Sequence, residues 1–341
     1  MSRLRDGGRT PRPARPDDFA ETSLTYAEAG VDVSAYNQLL ERVRPLLATA
    51  QTDRVVTGVG PFAGLYALPD GRGHLAASTD SVGTKVKVAI AAGRHHGVGI
   101  DLVNHCVNDI ATSGARPLFL LDYFACGRLD AAVFEQVVAG LVEACRASGC
   151  ALLGGETAEM PGVYALGDYD LAGFVVGLLD PGVEREPVRA GDLLVGLPSS
   201  GLHTNGYSLV RKVFEDIPLD TTFPELGRPL GDELLEPHRS YLDDLQRLPW
   251  KAAAHITGGG LFDNVPRPLP DGLAAELDLS AWRVPAIFGL IAERGRIAEE
   301  EMLRTFNMGL GMVLVSSEPI DGYPVVGRVV EHGAGPRVVL R

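Results

Sequence analysis

The chain has 341 residues, 45% of them hydrophobic and 22% charged, with 41 glycines, which is the composition of a globular protein rich in tight loops. Its formal net charge of −13 excludes a surface built to track nucleic acid or anionic lipid, since both demand a basic face, and no apolar run reaches the roughly 20 residues needed to span a bilayer. At this length two domains of comparable size are expected, and Cys106, Cys126, Cys145 and Cys150, which form neither a CxxC pair nor a zinc pattern, read as reduced, buried thiols of a cytoplasmic protein.

The first sixteen residues carry five arginines and three prolines with no apolar stretch behind them, so residues 1–20 read as a disordered tail outside the fold. Residues 26–47 pass from a polar start into a helix, and the run 57–65, broken by Gly58, Gly60, Pro61 and Gly64, reads as a mobile loop. A short strand over 74–79 delivers Asp80 at its end. The stretch 100–113 reads as a helix on which Asp101, His105 and Asp109 recur every four residues on one face. A buried strand over 117–124 follows. Asp130 then caps a helix whose Phe134, Val137, Val138, Leu141 and Cys145 keep the 3.6-residue period until Gly149. A strand at 151–153 carries Glu156, and an apolar run over 171–179 closes the first half. Asp180-Pro181-Gly182 and 184–187 resemble a linker, which puts the domains at 21–185 and 186–341. The second half opens with a strand over 193–197. Two glycine-containing loops, 199–206 and 255–260, each feed a helix start, and such turns favour anions because free N–H groups and the helix dipole point at the ligand.

Two glycine-flanked acidic segments carry the chemistry: Ser78-Thr79-Asp80-Ser81-Val82-Gly83-Thr84-Lys85 and Gly154-Gly155-Glu156-Thr157-Ala158-Glu159-Met160-Pro161. Each sets a carboxylate after an apolar run, beside small residues that let backbone approach a ligand. Magnesium takes one or two carboxylates plus phosphate oxygens and water, so carboxylates converging from separate loops suggest a Mg-nucleotide. Gly83-Thr84-Lys85 has the wrong order for a Walker A loop and Gly58-Val59-Gly60 lacks the third Rossmann glycine. A single Asp is more often a solvated surface group, and His255 at the end of an alanine run reads equally as the end of a strand. His203, set among hydroxyls, an amide and glycines, suits a phosphate contact or proton transfer.

In this order the segments resemble the phosphoribosylformylglycinamidine cyclo-ligase (AIR synthetase) family. The resemblance runs from Ser23 to the C-terminus through 24–32, 58–64, 79–85, 99–103, 107–109, 121–123, 154–162, 168–174, 199–211, 256–260 and 304–307. The Asp-x-Val-Gly-Thr-Lys region is shared with selenophosphate synthetase and thiamine-monophosphate kinase, whereas Gly-Gly-Glu-Thr-Ala-Glu-Met-Pro-Gly with Ser-Ser-Gly-Leu-His-Thr-Asn-Gly-Tyr-Ser-Leu selects the cyclo-ligase. Two positions depart: Ser81 stands where that family usually has glycine, and Ala27 where a lysine is common.

The resemblance implies a mixed α/β (α+β) chain of two domains, in which the N-terminal strands form a barrel across a homodimer and a C-terminal α/β domain folds against it. It implies ring closure of formylglycinamidine ribonucleotide with ATP, giving aminoimidazole ribonucleotide, ADP and phosphate through an iminophosphate, with Mg²⁺ required and K⁺ as an additional ion. Transient contacts with neighbouring purine-pathway enzymes are implied as well, with no nucleic-acid or membrane partner. On this reading Asp80, Asp109 and Glu156 hold the metal; Gly58, Gly60, Gly64, Asn108, Gly154 and Gly155 cradle the nucleotide; and Lys85 offsets γ-phosphate charge. Ser199, Ser200, His203, Asn205, Thr257, Gly258 and Gly259 bind substrate, and Lys85, His203 and His255 are the catalytic candidates. A superfamily kinase without ring closure and a nucleotide-binding subunit without turnover are the alternatives.

Overall fold

The structure, a computed structural model, describes residues 23–341; the tail expected at 1–20 lies outside the described residues. The first half runs α1 (Val33–Ala48), β1 (Val55–Thr57), β2 (Gly64–Ala67), β3 (His74–Ser81), α2 (Lys85–Ala92), α3 (His96–Ala111), β4 (Arg116–Cys126), α4 (Ala131–Ala147), β5 (Ala151–Glu159) and β6 (Tyr169–Leu179). Its six strands form one sheet in the order β1-β2-β3-β6-β4-β5, antiparallel except where β4 meets β5. The second half continues β7 (Leu193–Pro198), α5 (Tyr207–Val213), α6 (Leu230–Leu234), α7 (Leu242–Arg247), β8 (Ala252–His255), α8 (Gly260–Asn264), β9 (Leu273–Leu277), α9 (Ala286–Gly295), α10 (Glu299–Thr305), β10 (Leu310–Ser316), β11 (Val325–Glu331) and β12 (Val338–Leu340). It builds a second six-stranded sheet, β12-β9-β11-β7-β10-β8.

Local signals explain most elements. The Asp130 carboxylate accepts from the N–H groups of Ala132 (2.9 Å) and Val133 (3.2 Å), satisfying two donors that a helix start leaves free, and Gly149 closes α4 with φ +63°, a conformation open to glycine at little cost. Two strands are longer than their sequence suggests. β3 takes in Asp80 and Ser81 because they pair with Gly173 and Ala172 of β6. β5 runs through Gly154-Gly155-Glu156 because those residues pair with Leu121, Asp122 and Tyr123 after the register slips by one at Leu153; the glycines mark an irregularity inside a strand, not a loop. Ser81 is not among the positive-φ residues, so serine serves there as well as glycine.

One face of the first sheet is covered and the other is not. Ala76, Leu120, Leu171 and Val175 are fully buried beneath α3 and α4, while on the opposite face Tyr66, Leu153 and Phe174 stay 42%, 63% and 41% exposed. A single apolar core runs from this covered face into the second half through Leu197, Tyr207, Tyr241, Phe288 and Met312. Helix α3 lies at the junction, packed on β3, β6, α4 and α7, and 13 of its 16 residues are buried, Asp101, Asn104, His105, Asn108 and Asp109 among them. All four cysteines are free and buried. No helix among the described residues is long and apolar enough to cross a membrane.

Candidate active site

Alternation along β3 sends Ser78 and Asp80 to the same side, towards α3. The Ser78 hydroxyl donates to Asp109 Oδ2 (3.0 Å), and Asp80 Oδ2 lies 2.8 Å from His105 Nε2. The four-residue spacing on α3 thus brings Asp80 and Asp109 to one place through His105. The second half then closes over it. Thr204 Oγ1 reaches His105 Nδ1 (2.9 Å), and His255, the last residue of β8, places Nδ1 2.8 Å from Asp109 Oδ1. His238, in the connection between α6 and α7, puts Nε2 3.0 Å from His255 Nε2 and stacks on His203, with ring centroids 3.9 Å apart and planes 18° from parallel. Four histidines, all buried, and two carboxylates form one network across the two halves.

Their charges differ. Burial pulls His105 down, but the Asp80 carboxylate, with Asp109 and Asp101 beyond it, pushes its pKa up to about 9; it is the imidazolium of the group, with a proton on each ring nitrogen. Burial works against Asp80 in turn, and His105 holds its carboxyl below the ordinary range. Burial, with the nearby positive groups, holds His203 and His238 well below the usual histidine value, and burial lowers His255 despite Asp109. These three are neutral. His203 accepts the Ser200 N–H at Nε2 (3.2 Å), so its proton sits on Nδ1, a buried N–H with no partner among the described residues. Its backbone is left-handed, φ +61°, a conformation costly for a residue with a Cβ. His105, Asp109 and His255 bring three donor atoms within 4.8 Å of one another, yet each of these ring nitrogens already faces a hydrogen-bond or ion-pair partner.

The sequence reading is revised at several positions. Glu156 does not join Asp80 and Asp109: it pairs through Tyr123 and Ala172 with Ser81, three strands away, about 14 Å, and on the opposite face, because directly paired residues share a face and Asp80 is Ser81's neighbour. Gly154 and Gly155 share that exposed strand. Lys85 does not stand free beside Asp80. It is fully buried, paired with both oxygens of Asp101 (2.9 and 2.8 Å) and donating to the Glu236 carbonyl (2.8 Å), so its charge is spent inside the protein. Asn108 likewise binds protein, donating to the Arg239 carbonyl (2.9 Å) and accepting from the Tyr241 N–H (2.7 Å). The Ser199 hydroxyl is taken by the Gly201 carbonyl and Asn307, and the Ser200 hydroxyl by the Pro237 carbonyl; both shape the loop rather than present free donors.

The remaining candidates border the cluster. The loop holding Gly58 and Gly60 and leading to Gly64 is tied down where the Ser78 hydroxyl also reaches the Phe62 carbonyl (3.1 Å), and the Phe62 ring lies 6.5 Å from His255. In the second half Asn205 adjoins Gly258: a Cβ on that glycine would come 3.3 Å from Asn205 Oδ1. The Asn264 amide holds the Thr257, Gly258 and Gly260 carbonyls (3.2, 3.1 and 2.8 Å). A cleft of about 330 Å³ opens beside Gly259, lined also by Tyr26, Asn37, Asp263, Glu301 and Arg304. His238 is the residue that sequence reasoning missed; a lone histidine in an aperiodic connection carries no signal of its neighbours.

Residues 60–179 match the family model for the AIR synthase related protein N-terminal domain, and residues 189–322 that for the C-terminal domain. The chain is 54% identical over 303 residues to the phosphoribosylformylglycinamidine cyclo-ligase of Myxococcus xanthus, covering 85% of this chain and 88% of that one. It is 45% identical over 333 residues to that of Thermoanaerobacter pseudethanolicus, covering 92% and 99%. Among solved structures, thiamine monophosphate kinase from Aquifex aeolicus has the same fold, with TM-score 0.57 over 89% of this chain and 94% of the other at 18% identity.

Proposed function

The chain belongs to the phosphoribosylformylglycinamidine cyclo-ligase family of AIR synthase related proteins, and from that membership we propose that it closes the imidazole ring of formylglycinamidine ribonucleotide with ATP, releasing aminoimidazole ribonucleotide, ADP and phosphate. An amide oxygen is a poor leaving group. Transfer of the γ-phosphoryl group to that oxygen makes it phosphate, and the substrate nitrogen that attacks the same carbon expels it. Catalysis of this kind is positioning and charge neutralisation.

The observation that carries the site is the buried junction at which Asp80 and Asp109 of the first half meet His203 and His255 of the second. Asp80 keeps 35% of its side chain exposed, and with Asp109 it offers hard oxygen donors that suit Mg²⁺, which when bound neutralises the triphosphate. The unpaired Nδ1–H of His203 suits an anionic oxygen of the substrate, and the 257–259 turn beside Asn205 suits its phosphate. His255 orients Asp109. K⁺ is proposed as a second ion, and the domains as 21–185 and 186–341. The uncovered apolar face with Tyr66, Leu153 and Phe174 supports a homodimer with joined first sheets, since a patch of this kind on a soluble chain marks an interface. A cytoplasmic enzyme in contact with its pathway neighbours completes the reading.

Purified protein incubated with formylglycinamidine ribonucleotide, ATP and Mg²⁺, with and without K⁺, is expected to release ADP and a diazotisable aminoimidazole in equal amounts. ADP without aminoimidazole would assign a kinase or an uncoupled hydrolase instead, and the absence of both would remove the enzyme reading.

A further inference from the structure

We propose that His238 is a positioning residue of this site: through its ring N–H it holds the Nε2 end of the His255 ring and so the orientation of Asp109, and by stacking it holds His203. The proposal rests on the active-site reading above. The directions of the hydrogen bonds follow from the atoms. A carboxylate only accepts, so the 2.8 Å contact to Asp109 Oδ1 puts the His255 proton on Nδ1. With that proton on Nδ1, the imidazole of His255 presents a lone pair at Nε2, and the His238 Nε2 facing it at 3.0 Å is the donor, an arrangement that places one proton on each ring. In the other His238 tautomer two lone pairs would face each other in a buried space. The chain of donation therefore runs one way, from His238 to His255 to Asp109.

The rest of the surroundings explains why His238 can impose this order. Its backbone N–H donates to Asp101 Oδ1 (2.7 Å) and its carbonyl accepts from the Asn104 amide (2.7 Å), both on α3, the helix that carries Asp109. The Lys85 ammonium grips the same Asp101 and the Glu236 carbonyl two residues upstream. The buried Lys85–Asp101 pair is thus the clamp that lays residues 236–238 along α3, and Asn108 continues it by holding Arg239 and Tyr241. With the backbone fixed on one side and the ring against His203 on the other, His238 has a single place for its N–H. Partners that orient a ligand-bearing group in this way are typically worth about 10- to 100-fold in metal affinity or activity.

The test compares His238→Leu, which keeps the bulk and loses the donor, with His238→Gln, whose amide can still donate. Nitrogen-15 histidine spectra of the resting proteins report the protonation and hydrogen bonding of each ring nitrogen directly. Wild type is expected to show the His255 Nε2 resonance at the position of a hydrogen-bonded acceptor, His238→Leu the same nitrogen moved to the position of a free lone pair, and His238→Gln the wild-type position. In turnover His238→Leu is expected to lose at least about tenfold in kcat and to need several-fold more Mg²⁺ for half-maximal rate, with KM for the ribonucleotide within about twofold, and His238→Gln to recover most of the loss. An unchanged His255 Nε2 resonance in His238→Leu overturns the proposal, and so does equal impairment of the two variants. The spectra need no substrate, so failure of the wild type to make aminoimidazole would count against the assigned reaction while leaving this inference to be judged on the spectra.

Discussion

The two faces of the first sheet use the same strands for opposite ends. Towards α3 the strands present Ser78 and Asp80 among side chains with almost no exposure, and every charge there has a partner: Asp80 with His105, Asp109 with His255, Asp101 with Lys85. On the other face Phe174, Leu153 and Tyr66 are open and Glu156 stands without a part in the network. One residue of alternation separates a face where buried charges are paired with one another from a face where apolar side chains lie open.

Neighbouring positions on β6 give the widest contrast. Val175→Asp puts an unpaired carboxylate into a fully buried site and is expected to abolish the soluble folded protein. Phe174→Asp, one residue away, is expected to leave the melting transition of the subunit largely intact and to shift the mass in sedimentation from dimer to monomer. A Phe174→Asp protein that is still dimeric would move the interface elsewhere. Next in size is Lys85→Met, which strands Asp101 in the interior and is expected to cost about 3–5 kcal/mol in urea unfolding, with the Lys85→Met/Asp101→Leu double variant recovering part of it. If Lys85→Met instead kept its stability and lost only affinity for ATP, the lysine would belong to the phosphate after all. In turnover, Asp109→Ala is expected to reduce kcat by about 10²–10³-fold, and Glu156→Ala, on the far face, by less than about tenfold. Equal losses would bring the open face into the site.

The smallest effect is on the pH dependence of stability. His105 has its folded pKa raised from 6.5 to about 9, so its contribution is complete below pH 6.5 and is lost as pH rises through about 9. His203, His238 and His255 have lowered folded values; the unfolded chain takes up protons that they refuse, and stability falls as pH drops below 6.5. The urea midpoint is expected to peak near pH 6.5, and His105→Gln to flatten the alkaline limb only. An alkaline limb that persists in His105→Gln would assign it to another group.

Where the sequence could be read, one element held its own information. The cap at Asp130, the period of α4 and the stop at Gly149 are local, and so is the face of α3 that gathers Asp101, His105 and Asp109. Lys85 reads as a phosphate partner because it follows Asp80 by five residues near a glycine, while the helix that starts at this residue turns the side chain inward to Asp101, sixteen residues on. Glu156 misleads because two glycines resemble a turn, while pairing with β4 keeps the strand going and sets the face. His238 had no local sign at all, since its place is decided by hydrogen bonds to α3 from more than 130 residues away.

The contact between Asp109 and His255 joins residues 146 apart in the chain. Closing a loop of that length costs more chain entropy than closing a short one, and folds rich in such contacts form slowly. A chain still emerging from the ribosome, with its first sheet formed and β8 not yet made, therefore holds Asp80 and Asp109 without the imidazole of His255 that pairs with Asp109. The network is therefore complete only when both halves of the chain are folded.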